Sequence, residues 1–196
     1  MTRSVYIIGG AGTGKSTFTA ELLNRLGAAL GPLEDLYSKP NSRGTVITLR
    51  GHEMTNPPRW DTGLYLGCMR DEFPGTDGLD RVSYIPGEEW LATANLPDWI
   101  LAEGATLAVR RFLYALDVTT DLLIVHLTTD EMVKEIRLAQ RGAGQDEKFI
   151  AATATRARNL ATEMSKAGVY VIDVETSEMY DWDIALDMVT SHLSIP

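Results

Sequence analysis

Cysteine is almost missing from this chain: Cys68 is alone among 196 residues, which excludes an internal disulfide and any cysteine-built metal centre. Histidine is scarce too. His52, His126 and His192 form no H-x-x-x-H pair, and His126 sits inside an apolar run, so structural roles are expected for all three. No apolar stretch approaches the roughly 20 residues of a membrane span, and no signal-peptide pattern, repeat or low-complexity tract is present, which makes the cytoplasm the expected address. Positive charge is also short. Lys and Arg total 18 against 27 Asp and Glu, and the resulting net charge of −9 excludes a broad, non-specific nucleic-acid face while leaving room for a local basic groove. What remains is a chain with 44% hydrophobic residues, long enough for one packed domain over residues 1–196 and short for two.

Glycine, by contrast, is concentrated where it matters. GGAGTGKST, Gly9 to Thr17, fits G-x-x-x-x-G-K-S, with Gly9, Gly14, Lys15 and Ser16 in register. Gly9, Gly10, Ala11, Gly12, Thr13 and Gly14 keep side chains small, so that successive backbone N–H groups can curl around phosphate oxygens. Lys15 is placed to reach the terminal phosphates, Ser16 to ligate Mg²⁺, and Thr17 lies in the helical turn whose free N–H groups favour an anion. The flanks fit: VYIIG before the loop is a β-branched strand, and STFTAELLNRLGAAL after it has helical spacing.

Along the rest of the chain, Gly31-Pro32 is expected to stop helical growth, and LEDLYSKPNSR reads as a short helix or loop. TVITLR (45–50) and GLYLGCM (63–69) are strand candidates joined as a hairpin or irregular insert, with a parallel strand at 45–50 as the competing reading. RDEFPGTDGLDR reads as an exposed loop with little packing value. PGEEWLATANL, ATLAVRRFLYAL, DEMVKEIRLAQR, residues 146–167 and MYDWDIALDMVTSHL are helix candidates; Thr128 and Glu131 suggest a capping box for the third. DWILAEG, DLLIVHL and VYVIDV are strands. The alternation predicts an α/β fold: a P-loop domain of about five parallel strands with helices on both faces, an acceptor-side insert at about 43–81 and a lid at about 137–148.

Ligands in such sheets lie beyond the carboxyl ends of the strands, which makes Glu103, closing ILAEG, the expected acid beside Mg²⁺. Lys134, Arg137 and Arg141 share a helix face just before Gly142 and Gly144, a pattern suited to a basic lid closing over a triphosphate. A plain solvated face is the alternative. Asp77, in FPGTDGLD, is either an acid that orients an acceptor hydroxyl or an ordinary turn residue, and Arg70 nearby is a candidate substrate contact. Among the aromatics, only Trp60 draws weak interest as a stacking surface.

Together GGAGTGKST, ILAEG, EIRLAQRGAGQDEKF and VYVIDVETS resemble nucleoside and nucleotide kinases, in that order and across nearly the whole chain. The resemblance implies ATP and Mg²⁺ as cofactors, with Lys15, Glu103, Arg137 and Arg141 in catalysis and Ser16 and Glu103 on the metal. The segment LYLGCMRDEFPGTDGL further resembles a bacteriophage group of P-loop kinases that act on 5-hydroxymethyl-deoxyuridine in DNA. That likeness implies Asp77 as the acceptor-side acid and Arg70 as a substrate contact. The usual nucleoside-monophosphate segment is not evident, nor is the Asp-Arg pair of thymidylate kinases. Three functions follow: a kinase of hydroxymethylated DNA, a nucleoside or nucleoside-monophosphate kinase acting on a free nucleotide, and a regulatory NTP-hydrolysing switch. No membrane partner is expected, and a homodimer is left open.

Overall fold

The computed structural model describes residues 1–56, 61–69, 75–140, 147–177 and 179–193. Seven strands form one sheet. They are β1 (Arg3–Gly9), β2 (Ala29–Pro40), β3 (Val46–Asn56), β4 (Asp61–Leu66), β5 (Trp99–Glu103), β6 (Asp121–Thr128) and β7 (Tyr170–Glu175), in the spatial order β2-β3-β4-β5-β1-β6-β7. The run β4-β5-β1-β6-β7 is parallel throughout, as the alternation of strands and helices predicts, while β3 joins antiparallel to both β2 and β4. The hairpin reading of the insert therefore stands, and the parallel reading of residues 45–50 does not.

Strand alternation sorts the core into two layers. Val5 and Ile7 of β1 face α1 (Lys15–Leu26) and α6 (Met179–Leu193), packing with Phe18, Leu22, Leu186 and Val189. Tyr6 and Ile8 face the opposite side, where α2 (Tyr84–Thr93), α3 (Arg110–Thr119) and α5 (Glu147–Lys166) contribute Trp90, Phe112, Leu116, Leu160 and Met164. The remaining helix, α4 (Glu131–Gln140), has no buried residue and lies across the P-loop.

Three local expectations change. The first helix stops at Leu26, because Gly27 takes a left-handed φ of 62° and closes the end. Leu30 and the residues after it form no helix or loop but the edge strand β2, where Pro32 and Pro40 are tolerated because one side of an edge makes no ladder bonds. The Thr128–Glu131 capping box does not form: the Thr128 hydroxyl donates to Val174 O and Glu175, and Asp130 caps α4 by accepting from Met132 N at 2.8 Å. Among the described residues, no helix is long and apolar enough to cross a membrane.

The β2–β3 ribbon reaches past the parallel sheet on the side of the strands' carboxyl ends. β4 ends at Leu66, opposite Gly51, while β3 continues back to Val46 in pairing with β2. Its overhanging half is braced on α2, with Tyr37 donating to Glu89 and Lys39 paired with the same carboxylate.

Candidate active site

The P-loop follows from the position of β1. Flanked by β5 and β6, this central strand delivers Gly9 to the carboxyl edge, level with Leu127 and just beyond the Ile7–Glu103 pair. Gly14 then turns with φ 87° into α1 and caps it without a side-chain bond, so the first N–H groups of that helix point into the loop. Such a backbone angle suits glycine alone. Thr13 Oγ1 donates to Gly10 O at 2.9 Å, and Lys15 Nζ folds back to donate to Gly9 O and Gly10 O at 3.1 and 3.0 Å. A cation is thereby stored at the mouth of an anion site.

Glu103 sits opposite, at the end of β5, and is only 1% exposed. Ser16 Oγ donates to its Oε2 at 3.4 Å and Tyr65 donates to its Oε1 at 3.3 Å. Burial raises the Glu103 pKa, opposed by the Lys15 charge and by the two hydroxyls. Among the described residues no cluster of three acidic, histidine or cysteine side chains could hold a metal by itself. One hydroxyl and one carboxylate oxygen side by side fit Mg²⁺, which takes few protein ligands and fills its octahedron with water and phosphate oxygens.

Lys134 and Arg137 of α4 lie on one face, toward Gly12 and Gly14 of the P-loop, and both cations are engaged. Arg137 donates to Thr176 Oγ1 and Thr176 O at 2.9 Å each, and more weakly to Gly12 O at 3.4 Å. Thr176 in turn donates to Thr13 O at 3.0 Å, so Arg137 ties the P-loop to the loop after β7. Lys134 pairs with Glu131 at 2.5 Å. Arg141 and the glycines expected to hinge the lid lie outside the described residues, as do Trp60 and Arg70.

From Gly75 onward, the loop after β4 is packed, against what its composition suggests. Cys68 and Gly75 exchange backbone bonds of 2.9 and 2.8 Å, closing it at its base. Gly75 then lies directly on Glu103: a Cβ there would stand 2.5 Å from Glu103 Cγ and 2.5 Å from its carbonyl oxygen. Thr76 is fully buried, its hydroxyl 3.2 Å from that of Tyr6, which donates to Gly104 O. Asp77 Oδ1 accepts from Ala105 N at 2.6 Å and Thr106 N at 3.2 Å. One oxygen of Asp77 thus clasps the β5–α3 loop, while no bond engages Oδ2 among the described residues.

Two hollows flank the P-loop. A small one lies between Gly9, Gly104, Ala105 and the α5 residues Thr153, Arg156 and Ala157, which places the exposed Arg156 beside the strand ends. A wide groove of about 600 Å³ runs between α1 and α6, lined by Thr17, Asn24, Trp182 and Asp183. Tyr65, Thr176 and Arg156 were not singled out from sequence. Their only advance signal was position: one residue in a strand next to ILAEG, one just after the last strand, one on the helix beyond the lid.

The family model described as P-loop Nucleotide Kinase3 matches residues 1–180. A solved structure of an unliganded sugar kinase from Janibacter sp. HTCC2649 is similar at 16% identity, with 100% of each chain covered and a TM-score of 0.42. No curated protein matches the chain.

Proposed function

Because this chain belongs to the P-loop Nucleotide Kinase3 family, we propose that it moves the γ-phosphate of ATP to a hydroxyl acceptor with Mg²⁺ as cofactor. The observation that carries the reading is the meeting of Ser16 and Glu103 at 3.4 Å beside the P-loop cation Lys15. In the proposed reaction the acceptor oxygen bonds to the γ-phosphorus, the bond from phosphorus to the β,γ-bridging oxygen breaks, ADP leaves, and the acceptor proton passes to a carboxylate. Ser16 and Glu103 would hold Mg²⁺, which would supply charge neutralisation on the phosphate oxygens.

The protein's own groups do the rest. Phosphate oxygens replace the Gly9 and Gly10 carbonyls as partners of Lys15, and the α1 amides hold the same anion. Arg137 keeps the P-loop in shape through Thr176 and, with Arg141, stabilises the transferring group. Asp77 uses Oδ1 to fix the loop and Oδ2 to orient the acceptor hydroxyl, with Arg70 as a substrate contact. Arg156 adds a cation from α5 on the acceptor side.

The acceptor we favour is the 5-hydroxymethyl group of 5-hydroxymethyluracil in DNA. The likeness of LYLGCMRDEFPGTDGL supports it. A free nucleoside or nucleotide is the second reading, favoured by the net charge of −9. Labelled γ-phosphate offered with hydroxymethyluracil-containing DNA and with free nucleosides and nucleotides separates them. Label in the DNA alone supports the first; label only in a free nucleotide overturns it. Lys15→Ala is expected to abolish transfer in either case, and undiminished transfer would refute the phosphate-binding role.

A further inference from the structure

We propose that Tyr65 positions the Glu103 carboxylate, holding one oxygen inside the sheet so that the other is presented beside Ser16 to the divalent cation. The proposal deepens the kinase reading of this cleft and rests on it.

Tyr65 is fixed by the sheet before its side chain touches anything. It pairs antiparallel with His52 of β3 on one side and parallel with Leu101 of β5 on the other. The alternation along β4 sends its ring to the α1 face, where it is fully buried with Trp99 and Leu101. The ring of His52 tilts against it at 6.3 Å between centroids. His52 cannot easily turn away. Its Nε2 accepts from Met69 N at 3.2 Å, which leaves Nδ1–H to donate to Gly31 O at 2.9 Å, so both ring nitrogens are committed.

From that fixed base the phenol donates to Glu103 Oε1 at 3.3 Å, while Ser16 donates to Oε2 at 3.4 Å. Each carboxylate oxygen therefore has its own hydroxyl, one from the sheet and one from the helix that carries the P-loop. The two are not equivalent. Ser16 belongs to the P-loop segment, whereas Tyr65 is fully buried among the core side chains of the sheet. Removing the Tyr65 hydroxyl frees the carboxylate to rotate about its last bond and leaves Oε1 unpartnered in an apolar wall. Tyr65 is accordingly a positioning residue: it acts through Glu103 and touches neither substrate.

Tyr65→Phe keeps the ring and deletes one oxygen. Mn²⁺ binding in the presence of ADP, read by electron paramagnetic resonance, should weaken about tenfold or more, the usual effect of losing a group that orients a metal ligand. The KM for the acceptor should stay at its wild-type value while kcat falls. A double-mutant cycle with Glu103→Gln supplies the second measurement: if Tyr65 acts through Glu103, the added substitution changes Mn²⁺ affinity little in the Glu103→Gln background. Wild-type Mn²⁺ affinity in Tyr65→Phe overturns the proposal, as does an equal loss in both backgrounds, since either result means the ring only packs. Failure of the kinase reading looks different, because wild-type protein would then transfer no label from ATP to any acceptor.

Discussion

Replacing Gly75 by Ala tests whether the loop after β4 is built onto Glu103. Gly75 has φ 70° and ψ −144°, a region that residues with a Cβ avoid, at a cost of about 1–3 kcal/mol. The new Cβ would also stand 2.5 Å from Glu103 Cγ and from Glu103 O, so one partner must retreat by about 1 Å to reach ordinary contact. Neither moves freely. Glu103 O belongs to a strand flanked by β4 and β1, and the Glu103 side chain is held by Ser16 and Tyr65. Overpacking of this kind adds about 1–3 kcal/mol, so the substitution should cost roughly 2–6 kcal/mol in all.

Gly44→Ala is the matched control. Gly44 also has a positive φ, 78°, but nothing lies within 4 Å of its added Cβ, so only the backbone term of about 1–2 kcal/mol applies. Urea unfolding of the two variants should therefore separate them by more than about 1 kcal/mol, with Gly75→Ala the weaker. Amide exchange at Ala105 and Thr106, which donate to Asp77, should accelerate in Gly75→Ala alone. Equal midpoints for the two variants, with unchanged exchange at those amides, would show that the loop does not rest on Glu103.

Arg137→Ala should lower stability by about 1–3 kcal/mol through loss of its bonds to Thr176 and raise the KM for ATP, read by urea unfolding and initial rates; a fall in kcat with unchanged stability would instead show a purely electrostatic role over the phosphates. Asp98 Oδ2 accepts from Thr62 N and Thr62 Oγ1 at 2.8 and 2.9 Å, and these bonds hold its carboxyl below the usual range. Its folded pKa is depressed, so its contribution is present above the ordinary carboxylate pKa and is lost as pH falls through the folded value. Asp98→Asn should thus be less stable than wild type near about pH 7 and converge with it in acid, by urea midpoints across that interval.

What sequence made legible was chemistry carried by neighbours along the chain. Gly9 to Ser16 announce an anion site because the loop, its lysine and its hydroxyl are contiguous, and Glu103 stands out because an acid ends an apolar strand. The row of Lys134 and Arg137 was correctly placed on one face. What that face meets was not readable, because Thr176 lies 39 residues further on. The same limit hid Tyr65, whose role depends on which strand pairs with β5. Residues 29–40 were misread because Pro32, Pro40 and a mixture of charges oppose a central strand, whereas an edge strand tolerates all of them. For GTDGLD the signal itself misled: glycine beside aspartate marks a turn, and only Glu103 beneath Gly75 shows why the turn is packed rather than loose.

The antiparallel β2–β3 ribbon joins the parallel sheet through β3 against β4. Its hairpin end, Asn41 to Thr45, is closed on itself by bonds from Arg43 N and Thr45 N to Asn41 Oδ1. Lengthening or recutting that tip disturbs no ladder of the β5-β1-β6-β7 core, since the tip lies beyond the last residue paired to β4. The architecture thus separates the strand ends that carry the P-loop from a hairpin free to vary in reach. A library confined to residues 41–45 changes the length and surface of that hairpin without rebuilding the parallel sheet.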